Sequence, residues 1–272
     1  MKKRILTFLC VLGVGMSVLT GCGQKETDQV QEQETEQEKA VEENTAETLK
    51  DHTLMIYCGA GMQKPFQEIA EDFQNQTGCS MNVTYANAGQ IQSQITTAEE
   101  GDMFVAGSAD ELKPVMDYVT AQKDLVKHIP VLTVAEGNPK NITGLESLTG
   151  EDISIVMGDV EATPIGKIAK KALNEAGIYD MVNVIATTST APQMAMVIAN
   201  GEADAAVLWK ENSDVEGVEI VDTDDLAPYI KTIPAASLSC SADDEALEAF
   251  NEYLDSGAAK EIWMKYGYEI AE

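Results

Sequence analysis

Short apolar runs alternate with amphipathic stretches from Asp51 onward, and this alternation restricts the folds open to the chain. The first unit contains an apolar run at 53–58, a stretch at 65–73 with apolar residues at helical spacing, and a second apolar run at 80–85. The helical stretch begins with a proline and is followed by Gly78, which suits a helix end. The unit is therefore predicted to be strand, helix, strand.

The same alternation continues further along the chain. Residues 88–95 are predicted to form a helix, and residues 102–106 and 153–157 are predicted to form strands. Strands that alternate with helices favour an α/β fold with parallel sheets covered by helices on both faces. The length of 272 residues is sufficient for two lobes of ordinary domain size.

The N-terminus has the pattern of an export signal. Three basic residues at positions 2–4 precede an apolar stretch at 5–19, and small residues come directly before Cys22. This pattern predicts a signal peptide over 1–21 and lipidation of Cys22, which would anchor the protein on the extracytoplasmic face of the cell membrane. A permanent membrane span is the weaker alternative, because the stretch is shorter than the roughly 20 residues that a span needs.

Residues 22–51 are predicted to be the lipidated cysteine followed by an acidic, disordered tether. Glutamine and glutamate dominate this stretch, which has too few large apolar residues to form a core. A solvent-exposed helix is the alternative. The formal net charge of the chain is -28, which argues against nucleic acid as a partner.

Three cysteines remain in the exported chain, at positions 58, 79 and 240. Their spacing does not resemble a metal site, and small buried side chains are the favoured interpretation. Cys58 is predicted near a strand end and Cys79 near a strand beginning, so these two are expected at opposite edges of a sheet. The sequence leaves open whether any pair forms a disulfide.

Four motifs in register resemble those of the molybdate-binding proteins of ABC importers, and the match extends over nearly all of residues 52–272. They are YCGAGMQKPF at 57–66, YANAGQ at 85–90, GD at 158–159 with TPIGKIA at 163–169, and GEADAAV at 201–207. The resemblance implies capture of molybdate or tungstate, a permease partner in the membrane, and a monomeric binding protein.

The resemblance also implies a two-lobe periplasmic-binding-protein fold, in which each lobe has a mostly parallel sheet flanked by helices. The chain would cross between the lobes twice, near 126–132 and 229–235. Lobe one would combine residues 52–129 with 233–272, and lobe two would comprise residues 130–232.

Several predicted helices begin just after strands, which favours an anion site. Helix N-termini present unpaired N–H groups and a partial positive charge. The resemblance places the family's ligand contacts at five positions of this chain, one of which replaces a tyrosine hydroxyl by an indole N–H. These positions are Gly61, Ala88, Ile165, Ala191 and Trp209.

This chain differs from the family at two of these positions, because the family usually has serine where Gly61 and Ala88 stand. Loss of two hydrogen bonds to an anion would cost about 3 to 6 kcal/mol. One explanation is compensation by nearby polar side chains, for which the candidates are Asn87, Thr163, Ser189 and Thr190. The alternative is a different ligand, either another oxyanion or a small anionic organic solute that stacks on Trp209.

The remaining polar residues show neither a catalytic nor a metal-binding pattern. His52 and His128 have no partner pattern for either chemistry, and a surface or hinge role is expected for both. Cleft lysines are expected to be solvated rather than ligand-binding; the candidates are Lys64, Lys167 and Lys210. The sequence therefore predicts a protein without metal, cofactor or catalytic residues, and an exported two-lobe enzyme is a distant alternative.

Overall fold

A computed structural model describes residues 49–161 and 163–271. In chain order, its strands are β1 (Thr53–Gly59), β2 (Ser80–Ala86), β3 (Met103–Val105), β4 (Val119–His128), β5 (Pro130–Ala135), β6 (Ser154–Gly158), β7 (Asn183–Thr188), β8 (Ala205–Trp209), β9 (Val218–Ile220), β10 (Lys231–Leu238) and β11 (Glu269–Ile270). Its α-helices are α1 (Gln63–Thr77), α2 (Ala88–Ala98), α3 (Pro164–Glu175), α4 (Ala191–Ala199), α5 (Asp244–Asp255) and α6 (Gly257–Lys265).

The strands form two separate sheets, each with its own helices and core. Sheet one has the order β11-β4-β10-β3-β1-β2, and sheet two has the order β7-β6-β8-β5-β9. We refer to sheet one with α1, α2, α5 and α6 as lobe one, and to sheet two with α3 and α4 as lobe two. The predicted α/β fold with two lobes is confirmed.

Both sheets are mixed, which corrects the expectation of mostly parallel sheets. β1 pairs in parallel with β2 and β3, and β6 pairs in parallel with β7 and β8. β10 runs antiparallel to β3 and β4, and β5 runs antiparallel to β8 and β9. β5 and β10 are the strands that follow the two crossings between the lobes, where the chain enters a sheet instead of returning through a helix. β11, near the end of the chain, also runs antiparallel to β4.

The chain passes from one sheet to the other at two places. β4 ends at His128 in sheet one, and β5 begins at Pro130 in sheet two. The return lies between β9, which ends at Ile220, and β10, which begins at Lys231. The lobe boundaries inferred from the sequence, 52–129 with 233–272 and 130–232, stay a prediction.

The local elements predicted from periodicity are confirmed within a few residues. The strands expected at 53–58, 80–85, 102–106 and 153–157 correspond to β1, β2, β3 and β6, and the helices expected at 65–73 and 88–95 correspond to α1 and α2. α1 ends where Gly78 adopts a φ of 78°, and the Gly78 N–H donates to the Gln74 carbonyl at 2.8 Å. Glycine adopts this left-handed conformation without steric cost.

Aromatic side chains form much of the core of lobe one. The α5 residue Phe250 is fully buried and contacts Phe73 and Phe66, with ring centroids 4.9 and 6.2 Å apart. α1 and α5 thereby pack on the same face of sheet one. Lobe two has a mainly aliphatic core between sheet two and its helices, in which Val156, Ala195 and Leu208 are fully buried.

The first described residues already belong to lobe one. Leu49 is buried in the core, and its N–H donates to the Thr77 carbonyl at 3.1 Å. The folded part therefore includes residues within the range predicted as tether, whereas the predicted signal and Cys22 lie outside the described residues. Cys58, Cys79 and Cys240 are free thiols. Within the described residues, no helix has both the length and the apolar character of a membrane span.

Candidate functional site

A cleft of about 1260 Å³ is lined by residues of both lobes and by the His128 end of the first crossing. It lies at the carboxyl ends of the parallel strands, where the following helices begin. All nine predicted ligand contacts line it, and their role as ligand contacts stays a prediction. They are Gly61, Asn87, Ala88, Thr163, Ile165, Ser189, Thr190, Ala191 and Trp209.

The N-terminus of α3 leaves one backbone N–H available to a ligand. Pro164 has no N–H, and the Gly166 N–H donates to Thr163 Oγ1 at 3.1 Å. The Lys167 N–H donates to the Thr163 carbonyl at 3.1 Å. Within the described residues, the Ile165 N–H is the donor left over in this first turn. The Thr163 hydroxyl donates to the Asp159 carbonyl at 2.8 Å, so it caps the helix and its hydrogen is already used.

The N-terminus of α4 repeats this arrangement. Pro192 has no N–H, the Gln193 N–H donates to Thr190 Oγ1, and the Met194 N–H donates to the Thr190 carbonyl, both at 3.4 Å. Within the described part of the chain, the Ala191 N–H is therefore the donor without an acceptor in the first turn of α4. The neighbouring Ser189 hydroxyl bonds to Gln193 Oε1 at 3.2 Å.

A capping box closes the N-terminus of α2 on the opposite side of the cleft. The Gln90 N–H donates to Asn87 Oδ1 at 3.0 Å, and the Asn87 backbone N–H donates to Gln90 Oε1 at 3.4 Å. Asn87 Nδ2 also donates to Gln90 Oε1, at 2.6 Å. The Asn87 side chain is thus engaged in the cap. The N–H groups of Ala88 and Gly89 come before the first capped donor and point out of the helix end.

The fourth helix start is a short 3-10 turn, Ala60–Met62, that leads into α1. Among the described side chains, none caps this turn or the start of α1. A Cβ added to Gly61 would meet no atom within 4 Å, and Gly61 does not have a left-handed φ. A side chain at this position therefore has open space in the cleft and meets no backbone strain.

A close backbone contact fixes the α3 N-terminus against the end of β6. A Cβ added to Gly166 would lie 2.4 Å from the Gly158 carbonyl oxygen and 2.6 Å from the Asp159 carbonyl oxygen. Only glycine permits this approach without a backbone shift. The Asp159 N–H donates to the Thr188 carbonyl at 2.8 Å, which ties the same loop to the strand before α4.

Trp209 ends β8 beside the first crossing. Its indole stacks on the His128 imidazole with ring centroids 3.5 Å apart and planes at 20°. Trp209 is buried and lines the cleft. Its indole N–H has no hydrogen-bond acceptor among the described residues. The indole N–H therefore remains available as a donor to a ligand.

Several cleft residues were not identified from the sequence as part of the site. His128 bonds to Glu211 Oε1 at 3.0 Å, and the Gly107 N–H donates to Glu111 Oε2 at 2.8 Å. Burial raises the pKa of Glu111. The available signal was the position of His128 at a predicted crossing, but its partners are distant in sequence. The others that line the cleft are Ser108, Lys231 and Tyr268.

Among the described residues, four lysines line the cleft, and Lys210, which was also predicted near it, does not; the four are Lys64, Lys167, Lys171 and Lys231. Lys231 pairs with Asp110 at 2.9 Å, and hydrogen bonds from Lys113 and Lys231 lower the pKa of Asp110 to about 2. Lys171 lies 3.8 Å from Glu175. Lys64 and Lys167 line the cleft from opposite lobes, and neither forms an ion pair with another described residue. Lys210 forms an ion pair with Glu269 instead. Lys64 and Lys167 thus place two positive charges at the cleft, which Asp110, Glu111 and Glu211 also line.

The architecture is that of a solute-binding protein, since two lobes joined by two crossings enclose a cleft whose rim presents helix N-termini. Residues 54–269 match the family model described as bacterial extracellular solute-binding protein. The chain belongs to this family.

Individual relatives agree with this membership. A Haemophilus influenzae protein named only as a binding protein is 30% identical over 173 residues, which cover 60% of this chain and 70% of the relative. The molybdate-binding protein ModA of Escherichia coli is 23% identical over 231 residues, which cover 80% of this chain and 89% of the relative. The substrate-binding domain of a protein assigned to a molybdenum ABC transporter from Clostridium difficile has the same fold, with a TM-score of 0.71, 22% identity, and coverage of 81% of this chain and 99% of that one.

Proposed function

We propose that this protein is the extracytoplasmic solute-binding component of an ABC importer and that it captures a tetrahedral oxyanion, molybdate or tungstate. One observation carries the proposal: four helix starts present backbone N–H groups to one cleft, two from each lobe. Such groups bind anions without a counter-charge on a side chain. The names of the Escherichia coli and Clostridium difficile proteins, which refer to molybdate and to a molybdenum transporter, support the choice of ligand.

Backbone donors explain how a strongly acidic chain binds an anion. The net charge is -28, but surface charges are screened over about 8 Å at physiological salt, whereas the N–H groups would touch the ligand. Lys64 and Lys167 add positive charge at the cleft. An ABC permease in the cytoplasmic membrane is the partner that this role requires, and the protein would act as a monomer.

A second candidate ligand is a different anion, either another oxyanion or a small anionic organic solute. The absence of side-chain hydroxyls at Gly61 and Ala88 favours it, as does the partly apolar surface of Trp209. Enzyme activity has less support, because the family model and the relatives that the chain matches are solute-binding proteins.

Titration calorimetry on the purified full chain tests the ligand. We expect molybdate and tungstate to bind more tightly than sulfate, phosphate and small organic acids. Serine at position 61 or 88 restores a hydroxyl, and a charge-assisted bond is expected to add about 1 kcal/mol or more of affinity for molybdate. Gly61→Ser is not strained, and Ala88→Ser is its matched partner on α2. Tight binding of a different anion, with no gain for molybdate in either variant, would contradict the ligand and leave the family intact.

The membrane anchor is a second part of the proposal. Cys22 is expected to carry the lipid after removal of residues 1–21, so Cys22→Ala is expected to release the protein from membranes or to block leader removal. Detergent-phase partitioning and the mass of the mature protein measure both outcomes. Cys240→Ala is the matched control, since that thiol lies in the folded part. Unchanged partitioning and mass for Cys22→Ala would contradict lipidation at this residue.

A further inference from the structure

Among the described residues, four with short polar side chains line the cleft and directly precede a helical segment. Three of them use the side-chain oxygen as a cap: Asn87, Thr163 and Thr190 each accept a hydrogen bond from the N–H three residues further on. The fourth is Ser108, which precedes the 3-10 segment Ala109–Tyr118 and makes no side-chain cap bond. Ser108 therefore keeps a side-chain oxygen that the other three have already used.

The sequence around Ser108 has the spacing of a capping box, because a glutamate follows three residues later. In such a box, the serine oxygen accepts the Glu111 N–H and the carboxylate accepts the Ser108 N–H. Here the Glu111 N–H donates to the Ser108 carbonyl at 3.0 Å, and the Glu111 carboxylate accepts the Gly107 N–H at 2.8 Å. The start of this segment is closed without the Ser108 hydroxyl, so removal of the hydroxyl is expected to cost the fold little.

The Ser108 hydroxyl is buried, yet it is open to the cleft. Ser108 is 7% exposed and lines the cleft, and its hydroxyl has no hydrogen-bond partner among the described residues. The described side-chain atoms that are both unpaired and fully enclosed are Tyr85 Oη and Trp263 Nε1, so Ser108 Oγ is not sealed inside the protein. A buried hydroxyl without a partner is unfavourable, and an anion in the cleft would supply the missing acceptor.

Ser108 lies beside the two positions that lack the family's serines. β1 lies between β3 and β2 in sheet one. The parallel register of β1 with β3, continued past the last paired residues, places Ser108 next to Gly61, and the register of β1 with β2, continued likewise, places Ala88 on the other side of Gly61. A Cβ added to Gly61 would meet no atom within 4 Å, so the space between these chain segments is open.

We propose that Ser108 is a ligand-binding residue of the anion site: its hydroxyl donates a hydrogen bond to the bound oxyanion and takes the place of a hydroxyl missing at Gly61 and Ala88. The inference rests on the proposed function for the chemistry of its ligand, and it deepens that function. In lobe two, the N–H groups of Ile165 and Ala191 are available while the cap hydroxyls are engaged. Ser108 therefore adds a side-chain donor from lobe one.

Ser108→Ala tests the contact, with molybdate titrated into the full chain by calorimetry. We expect affinity to fall by about tenfold or more, because a hydrogen bond to a charged ligand is lost. The thermal unfolding midpoint of the ligand-free variant is expected to stay at the wild-type value, since the hydroxyl makes no bond within the fold.

Ser237→Ala is the matched control. Ser237 is also a lobe-one serine with 7% exposure, but it lies outside the cleft lining and accepts a hydrogen bond from Asn251 Nδ2 at 3.1 Å. We expect the opposite result, a midpoint lower by about 2–4 °C with unchanged molybdate affinity. A Ser108→Ala variant that loses as much thermal stability as Ser237→Ala would have a structural serine at position 108, and this result overturns the inference.

A hydroxyl moved to the neighbouring position provides a rescue. We expect Gly61→Ser, combined with Ser108→Ala, to bind molybdate within a few-fold of the wild type. A loss in Ser108→Ala that Gly61→Ser does not reduce overturns the inference, as does equally tight binding by the wild type and Ser108→Ala. A wild type that binds none of molybdate, tungstate, sulfate and phosphate overturns the proposed function, and the inference with it.

Discussion

Replacement of Ala191 by proline is expected to weaken molybdate binding by roughly 10- to 100-fold while α4 stays folded. In the first turn of α4, Pro192 has no N–H and the Gln193 N–H donates to the Thr190 cap, so the Ala191 N–H is available to a ligand. Proline is well tolerated at the first position of a helix, and Thr190, with φ -144° and ψ 147°, already has the extended conformation that a residue before proline adopts. The substitution therefore removes one hydrogen-bond donor with little other change.

Calorimetry measures the loss, and circular dichroism with thermal unfolding checks the fold. Pro192→Ala is the matched control, because it changes the neighbouring proline and leaves the Ala191 N–H in place. We expect this control to retain binding within a few-fold. An Ala191→Pro variant that is folded and binds molybdate as tightly as the wild type would show that this N–H is not a ligand contact.

Gly166→Ala is expected to lower the free energy of unfolding by about 1–3 kcal/mol and to weaken anion binding as well. The new Cβ would lie 2.4 and 2.6 Å from two main-chain oxygens, at Gly158 and Asp159, so the backbone must move. That movement displaces the first turn of α3 from the end of β6, and the Ile165 N–H moves with it. The close contact of Gly166 with the end of β6 both stabilises the fold and positions the Ile165 N–H, so one substitution is expected to change stability and binding together.

Urea unfolding and molybdate titration measure the two effects. Gly257→Ala is the matched control, since it is also a glycine at a helix start and a Cβ there would meet no atom within 4 Å. We expect this control to change the free energy of unfolding by less than about 0.5 kcal/mol and to leave binding unaltered. Wild-type stability in Gly166→Ala would mean that the loop after β6 adapts to the extra methyl group.

The sequence predicted the local elements well because their signals are local. The apolar spacing in α1, together with Gly78 at its end, specifies a helix without knowledge of the rest of the chain. The directions of β5 and β10 could not be predicted in this way. They depend on where the chain crosses between the lobes, and periodicity within a strand is the same for parallel and antiparallel neighbours.

The candidate site was predicted in its backbone part and missed in its side-chain part. Thr163 followed by Pro164 predicts a capped helix N-terminus, and a helix N-terminus has unpaired N–H groups. The contact of His128 with Glu211 could not be predicted in this way, because Glu211 lies 83 residues further along the chain. Sequence spacing carries no information about a contact that exists only after two lobes are joined. The sequence therefore predicted a surface or hinge role for His128, which lies at the first crossing, but not its contact with Glu211.

The position of β10 between β3 and β4 also has a consequence for the order in which the chain folds. Sheet two is built from one continuous segment, from Pro130 to Ile220, whereas sheet one must wait for strands near the end of the chain. Contacts between segments far apart in sequence form slowly, because a long loop has to close first. We therefore expect lobe two to fold before lobe one during synthesis, and the inner edges of β3 and β4 to remain open to mispairing until Lys231–Leu238 arrives between them.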